Sequence, residues 1–179
     1  NLNAIWNKIY KNKIIKKNNV IFPEGVSLGE DGLFNINFMS HAVNIIYVDY
    51  TGYHYQEVIG SATRNIESKD YFKRALEVFY LDLPEKLVGS IDRNKIKELK
   101  SIRLINSVMS YTHVYFTPSK VSFIRRYRYV KNMINNKTIR EVLPLYVDRN
   151  YRNLNRYEKI LVTMIQKQSI IGLYCAVAY

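Results

Sequence analysis

Cysteine is nearly absent from this chain of 179 residues: Cys175 stands alone, which excludes an internal disulfide and any CxxC-type zinc or redox motif. Histidine is almost as scarce, and His41, His54 and His113 are too dispersed to suggest a metal cluster. Long apolar runs are missing too. The longest, Ile170 to Tyr179, is about half of the roughly 20 residues that span a bilayer. The start Asn1-Leu2-Asn3-Ala4 lacks the charged-then-apolar pattern of a signal peptide. Together these absences predict a soluble protein of a reducing, cytoplasmic compartment.

Acidic residues are scarce in one half only. Residues 1–90 carry 10 basic and 10 acidic side chains, whereas residues 91–179 carry 17 and 5, so the whole net charge of +12 lies in the second half. That asymmetry points to an anionic partner: nucleic acid, lipid headgroups or a phosphorylated substrate. A solvated basic face is the plainer reading, since a Lys-, Asn-, Ile- and Tyr-rich chain follows from a biased genome as well. With 47% hydrophobic residues and 23% charged, the chain reads as folded and able to bury a core.

Glycine thins out in the same direction. Six of seven glycines fall in residues 1–90, which predicts turns there and long helices beyond. Residues 3–18 read as a turn and helix, and Val20-Ile21-Phe22 as a short strand stopped by Pro23. A helix from about Leu28 to His41 directs Leu33, Phe34 and Phe38 inward. Asn44–Val48 (NIIYV) and Tyr53–Val58 read as a hairpin across Gly52. Asp70 caps a helix from Tyr71 to about Leu81. From Asp92 the pattern is helical: Ile96, Leu99, Ile102, Ile105 and Met109 mark one face of a helix that ends before Pro118. A second, about Ser119–Asn135, carries Phe123, Tyr127, Val130 and Ile134. A short piece over 138–147 is interrupted by Pro144, and a last helix from about Asn153 carries Tyr157, Ile160, Leu161, Met164 and Ile165.

The stretch richest in chemistry is Phe22-Pro23-Glu24-Gly25-Val26-Ser27-Leu28-Gly29-Glu30-Asp31-Gly32-Leu33-Phe34-Asn35. Two adjacent carboxylates open a helix there. Ser27-Leu28-Gly29-Glu30 fits a capping box, with Ser27 as N-cap and Glu30 reaching back to its N–H, while Asp31 merely suits the positive helix end. Capping accounts for Glu30 and leaves Asp31 without a defined task.

The wider context offers one. Trp6-Asn7-Lys8, Ile14-Ile15, Asn18-Asn19, Phe22-Pro23-Glu24-Gly25, Gly29-Glu30-Asp31 and Phe34-Asn35 follow one another in order. Ile45–Asp49, Tyr53-His54-Tyr55 and Ser61-Ala62-Thr63 come after them. This series, over roughly residues 5–64, resembles the acceptor half of family 2 glycosyltransferases of the bacterial surface-polysaccharide type, and the basic helical tail resembles their C-terminal extension.

The resemblance implies an α+β, mostly helical chain: the C-terminal part of a GT-A glycosyltransferase, with a short hairpin or sheet piece in an acceptor-side part (1–90) and a basic helical extension (91–179). It implies an inverting transfer in which Asp31 takes the proton of an acceptor hydroxyl and Glu30 orients the acceptor or backbone. The donor would be a nucleotide sugar and the acceptor a saccharide or lipid-linked saccharide. The full-length enzyme would use Mn²⁺ or Mg²⁺ held by an Asp-x-Asp, which occurs nowhere in these 179 residues. The chain is therefore expected to be the C-terminal part of a longer enzyme, to hold no metal itself, and to be inactive alone.

Other residues have two readings each. His54 contacts the donor diphosphate or is a half-buried strand residue. Trp6 stacks on a sugar face or packs in the core. Arg64 meets phosphate or is an exposed loop arginine. Arg125, Arg126, Arg128 and Lys131 form the densest basic cluster and suit a peripheral seat on the inner membrane face. The rival reading is a non-enzymatic basic helical module that binds nucleic acid or anionic membrane. No RRM, KH, zinc-finger or helix-turn-helix signature supports nucleic acid as a partner.

Overall fold

The computed structural model describes residues 4–24, 29–50, 52–54, 56, 70–83, 89, 92–117 and 120–178. Of these residues 67% are helical, in eight α-helices and a 3-10 turn, and none is in a strand. The mostly helical expectation holds. The chain divides into two compact units, Asn1–Asn65 with Asp82–Ser90, and Ile66–Leu81 with Ile91–Tyr179.

The first unit is small and aromatic. Helix α1 (Asn12–Lys17) ends where Asn19 takes a left-handed conformation (φ 49°), which lets Val20 N–H bond back to the Ile15 carbonyl at 3.0 Å. That turn delivers Val20 into a core with Phe34 and Phe38 of α2 (Glu30–Met39), joined by Ile5, Tyr10, Ile14, Ile15 and Ala42. Phe22 stacks on Phe34 at 4.3 Å, and the Tyr10 ring meets Phe34 and Phe38 edge-on.

Val20–Phe22 is thus a connector and not the expected strand: Val20 is buried by the helices, Ile21 and Phe22 are exposed, and no neighbouring strand supplies a ladder among the described residues. Ile45, Ile46, Tyr47 and Val48 lie outside helix and strand, each at least 70% exposed. Of the returning run 53–58, only Tyr53, His54 and Gln56 are among the described residues.

The second unit is a helical bundle around α4 (Arg93–Phe116), on which α3 (Tyr71–Tyr80), α5 (Phe123–Ile134), α6 (Lys137–Asn150) and α8 (Ile170–Ala178) pack, with α7 (Arg156–Gln166) against α8. Asp70 and Asp92 cap α3 and α4, accepting from Lys73 N–H at 2.9 Å and Asn94 N–H at 3.1 Å. The α4 face differs from the apolar count. Leu99 is half exposed, and the buried stripe runs through Ser101, Leu104, Ile105, Val108, Met109, Thr112, Tyr115 and Phe116. Ser101 and Thr112 are admitted because each hydroxyl bonds a carbonyl of its own helix, at 2.7 and 2.8 Å, leaving no unpaired group.

Pro144 does not divide its segment either. Helix α6 runs unbroken from Lys137 to Asn150, with Pro144 exposed while Val142, Leu143 and Tyr146 are buried. Pro144 lies on the solvent side, and the packing of the opposite face carries the helix past its missing donor. Helix α7 begins with a complete capping box, Asn155 and Glu158 exchanging bonds of 2.9 Å. The chain past Lys167 turns through left-handed Gln168 into α8, a separate helix.

Two arginines act as clamps. Arg126, 8% exposed, donates to the carbonyls of Val121, Tyr115 and Thr117, all at 2.9 Å, and so fastens α5 to the end of α4. It therefore leaves the basic cluster, whose exposed members are Arg125, Arg128 and Lys131. Arg140 of α6 donates to the carbonyls of Ile165 and Gln166 at 2.9 and 3.1 Å, satisfying the end of α7. Arg126→Ala leaves three carbonyls without their donor and is expected to destabilise the unit by roughly 2–4 kcal/mol in urea unfolding. Arg128→Ala is expected to shift it by less than about 0.5 kcal/mol.

Tyrosines tie the same bundle. The Tyr129 hydroxyl donates to Asp70 and accepts from Phe72 N–H at 2.8 Å, while its ring stacks on Tyr115 at 4.0 Å. Tyr146 donates to Asn106 at 2.8 Å; burial, with the Glu158 charge beyond it, pushes its hydroxyl up to about 12. A phenol harder to ionise when folded contributes stability that is fully present below about pH 10 and is lost as pH rises through 12. The urea midpoint is expected to fall more steeply between these pH values in the native chain than in Tyr146→Phe.

Candidate functional site

The expected capping box is not how α2 begins. Gly29 is the N-cap, in a left-handed conformation (φ 107°) with no side-chain cap bond, and the helix starts at Glu30. Only glycine adopts that φ without strain, so a glycine directly before the Glu-Asp pair follows from backbone geometry. Ser27 lies outside the described residues. Glu30 and Asp31 occupy the first two helical positions, where the unsatisfied N–H groups favour negative charge. One oxygen of Glu30, Oε2, is buried and has no hydrogen-bond partner among the described residues.

Asp31 is half-buried, and its Oδ2 accepts from the Ile5 backbone N–H at 3.3 Å. One turn further along α2, buried Asn35 accepts from the Tyr10 hydroxyl and donates to the Ala4 carbonyl at 3.3 Å. The i, i+4 spacing puts both side chains on one helix face, so α2 grips segment 4–10 at two points. Inside that segment Lys8 N–H closes a turn on the Ile5 carbonyl at 3.2 Å, and Lys8 Nζ reaches the Ala4 carbonyl and, at 2.8 Å, Asn7 Oδ1.

The Asp31 charge is felt across this small space. Burial raises the Tyr10 hydroxyl above its ordinary value, and repulsion from Asp31 adds to it. Burial lowers the Lys8 ammonium, with Asp31 opposing the change. Asp31 Oδ1 makes no hydrogen bond among the described residues.

The clasp also places Trp6. It follows Ile5 directly, is 41% exposed, and stacks on the exposed ring of Tyr53 with centroids 5.1 Å apart and planes at 28°. Trp6 is therefore a surface aromatic and not a core residue. His54, next to Tyr53, is exposed, unlike the half-buried strand residue of the plainer reading. Trp6, Glu30 and Asp31 are thus brought together through the Ile5 amide, His54 follows through the Tyr53 stack, and Arg64 lies outside the described residues. Tyr10 and Asn35 had no assigned task in the sequence, yet they fasten the clasp. Their signal was a polar residue four positions after Asp31, between the inward Phe34 and Phe38.

No group of three or more His, Cys, Asp or Glu side chains among the described residues is placed to hold a metal ion. Comparison with family models, curated proteins and solved structures returned no match.

Asp31→Asn retains an acceptor for Ile5 N–H, and Asp31→Ala does not. Loss of one such bond costs roughly 1–1.5 kcal/mol, so hydrogen exchange of the Ile5 amide is expected to quicken about tenfold in Asp31→Ala and to change little in Asp31→Asn.

Proposed function

We propose that this chain is the acceptor-side part of an inverting glycosyltransferase on a GT-A fold, with Asp31 as the general base. The observation that carries the reading is the Asp31 carboxylate itself. It is fixed through Oδ2 by the backbone amide of Ile5, the residue before Trp6, and is only half-buried, while the exposed Trp6 ring stacks on Tyr53. A sugar presents an apolar C–H face and polar hydroxyls, and an aromatic surface next to a fixed carboxylate matches both.

In this reading the acceptor hydroxyl gives its proton to Asp31 Oδ1 as its oxygen attacks the anomeric carbon. The new C–O bond forms on the face opposite the leaving group, and the nucleoside diphosphate departs with the electron pair of the old bond. Glu30 and Trp6 orient the acceptor, and His54 and Arg64 serve the donor diphosphate. In this reading the donor and the Mn²⁺ or Mg²⁺ ion belong to a separate nucleotide-binding half, without which these 179 residues are expected to be inactive. The exposed β-branched run Asn44–Val48 supports the same division, because such a run is stabilised by a sheet alongside it. The basic extension seats the enzyme on the cytoplasmic membrane face, where a lipid-linked acceptor is reached.

The test uses the gene-length protein with nucleotide sugars, Mn²⁺ and a saccharide acceptor. Asp31→Asn is expected to lower the transfer rate by about 10²–10⁴-fold while the Ile5 amide stays protected. Full transfer by Asp31→Asn would leave Asp31 as a clasp alone. Transfer by the 179 residues on their own would refute the division into halves.

A further inference from the structure

Helix α8 has the sequence IIGLYCAVA, without a charged side chain. Ile170 and Leu173 are buried, while Ile171, Tyr174, Cys175 and Ala178 are all exposed. Their spacing of i, i+3, i+4 and i+7 makes them one continuous arc on the outer face, where a surface helix ordinarily carries its charges. Ile171 is 74% exposed. The Tyr174 ring meets Phe116 and Phe123 edge-on at 5.5 and 5.2 Å, and Phe123 is itself 45% exposed. The apolar surface thus runs on to the first turn of α5. There exposed Ile124 begins a stripe that continues, at i+4 and i+7, with exposed Arg128 and Lys131.

An uncovered apolar arc can be covered by a second copy of the chain or by hydrocarbon, and charge separates the two. Residues 91–179 hold 17 basic side chains against 5 acidic, so a second copy brings like charge to like. An anionic bilayer brings opposite charge to the Arg128–Lys131 stripe and an apolar layer to the arc beside it. At 1.5 Å per residue the helix is about 14 Å long, far short of the roughly 30 Å hydrocarbon layer; no described helix is long and apolar enough to cross a membrane.

We infer that α8 seats the chain on anionic lipid, the arc Ile171, Tyr174, Cys175 and Ala178 entering the acyl boundary while Arg128 and Lys131 meet the headgroups. This rests on the membrane-surface part of the reading above and is independent of Asp31. The sole cysteine supplies the probe, because Cys175 is exposed on the arc. An environment-sensitive nitrobenzoxadiazole label there is expected to shift to the blue and brighten severalfold with vesicles of equal phosphatidylcholine and phosphatidylglycerol, and to change little with phosphatidylcholine alone.

In flotation with the mixed vesicles, Ile171→Glu is expected to weaken binding at least tenfold without altering the far-ultraviolet spectrum. Arg128→Gln with Lys131→Gln is expected to weaken it and flatten its salt dependence. If the native chain floats but the Cys175 label stays water-like and Ile171→Glu binds normally, α8 is not the seat and the basic surface acts alone. If the native chain does not float, the membrane reading fails with it. A dimer seen by light scattering that Ile171→Glu dissolves, without flotation, would assign the arc to a second copy.

Discussion

The candidate site hangs on the grip that α2 has on segment 4–10. Neither α2, with ten residues, nor α1, with six, is long enough to be stable in isolation, so the first unit depends on what they bury together. Phe34 and Phe38 supply the apolar part, and Asp31 and Asn35, on adjoining turns, supply the directional part. The Ile5 amide and the Tyr10 hydroxyl fix where the chain enters. Move either and Trp6 moves with it, since it follows Ile5 in a turn closed by Lys8. The carboxylate that is the candidate base is also one anchor of its own surroundings, which is why the Asn and Ala replacements of Asp31 separate chemistry from architecture.

The second unit solves a different problem: packing helices whose ends would bury unpaired carbonyls. Arg126, buried, and Arg140, half-buried, answer it at the helix ends, where a planar guanidinium satisfies two or three oxygens at once. Basic charge in a sequence is therefore not equivalent to basic surface. Arg126 stands between Arg125 and Arg128 and has a structural task, while its neighbours remain in solvent.

How far the sequence could be read follows from how local each signal is. Asp70 and Asp92 were legible as caps because an N-cap needs only its own next few residues. The end of α4 before Pro118 was legible for the same reason. Ser27 misled because the Ser-x-x-Glu pattern is local as well, but Gly29 takes the capping position with a backbone conformation that no side-chain pattern reveals. The true capping box, Asn155 with Glu158, has the same form of signal. Leu99 and Pro144 were misread through tertiary effects: buried hydroxyls that bond their own helix, and packing that carries a helix past a missing donor. In the candidate site the Glu30–Asp31 pair and Trp6 were visible as residue types. The Asp31–Ile5 and Asn35–Tyr10 bonds were not, because they join positions 25 or 26 apart.

The two exposed apolar surfaces differ in a way that sorts their partners. In the first unit the run Ile45–Val48 exposes all four side chains, on a backbone whose own N–H and C=O groups are not used in a helix or strand. Covering it calls for a partner that supplies backbone hydrogen bonds, which another strand does and lipid does not. In α8 the backbone groups are already paired within the helix, and the exposed arc asks only for an apolar environment. Lipid meets that need without supplying a single hydrogen bond. In the proposed seat the cations on the adjoining face of α5 have two roles: they set one copy against another, and they attract an anionic surface that can cover the arc.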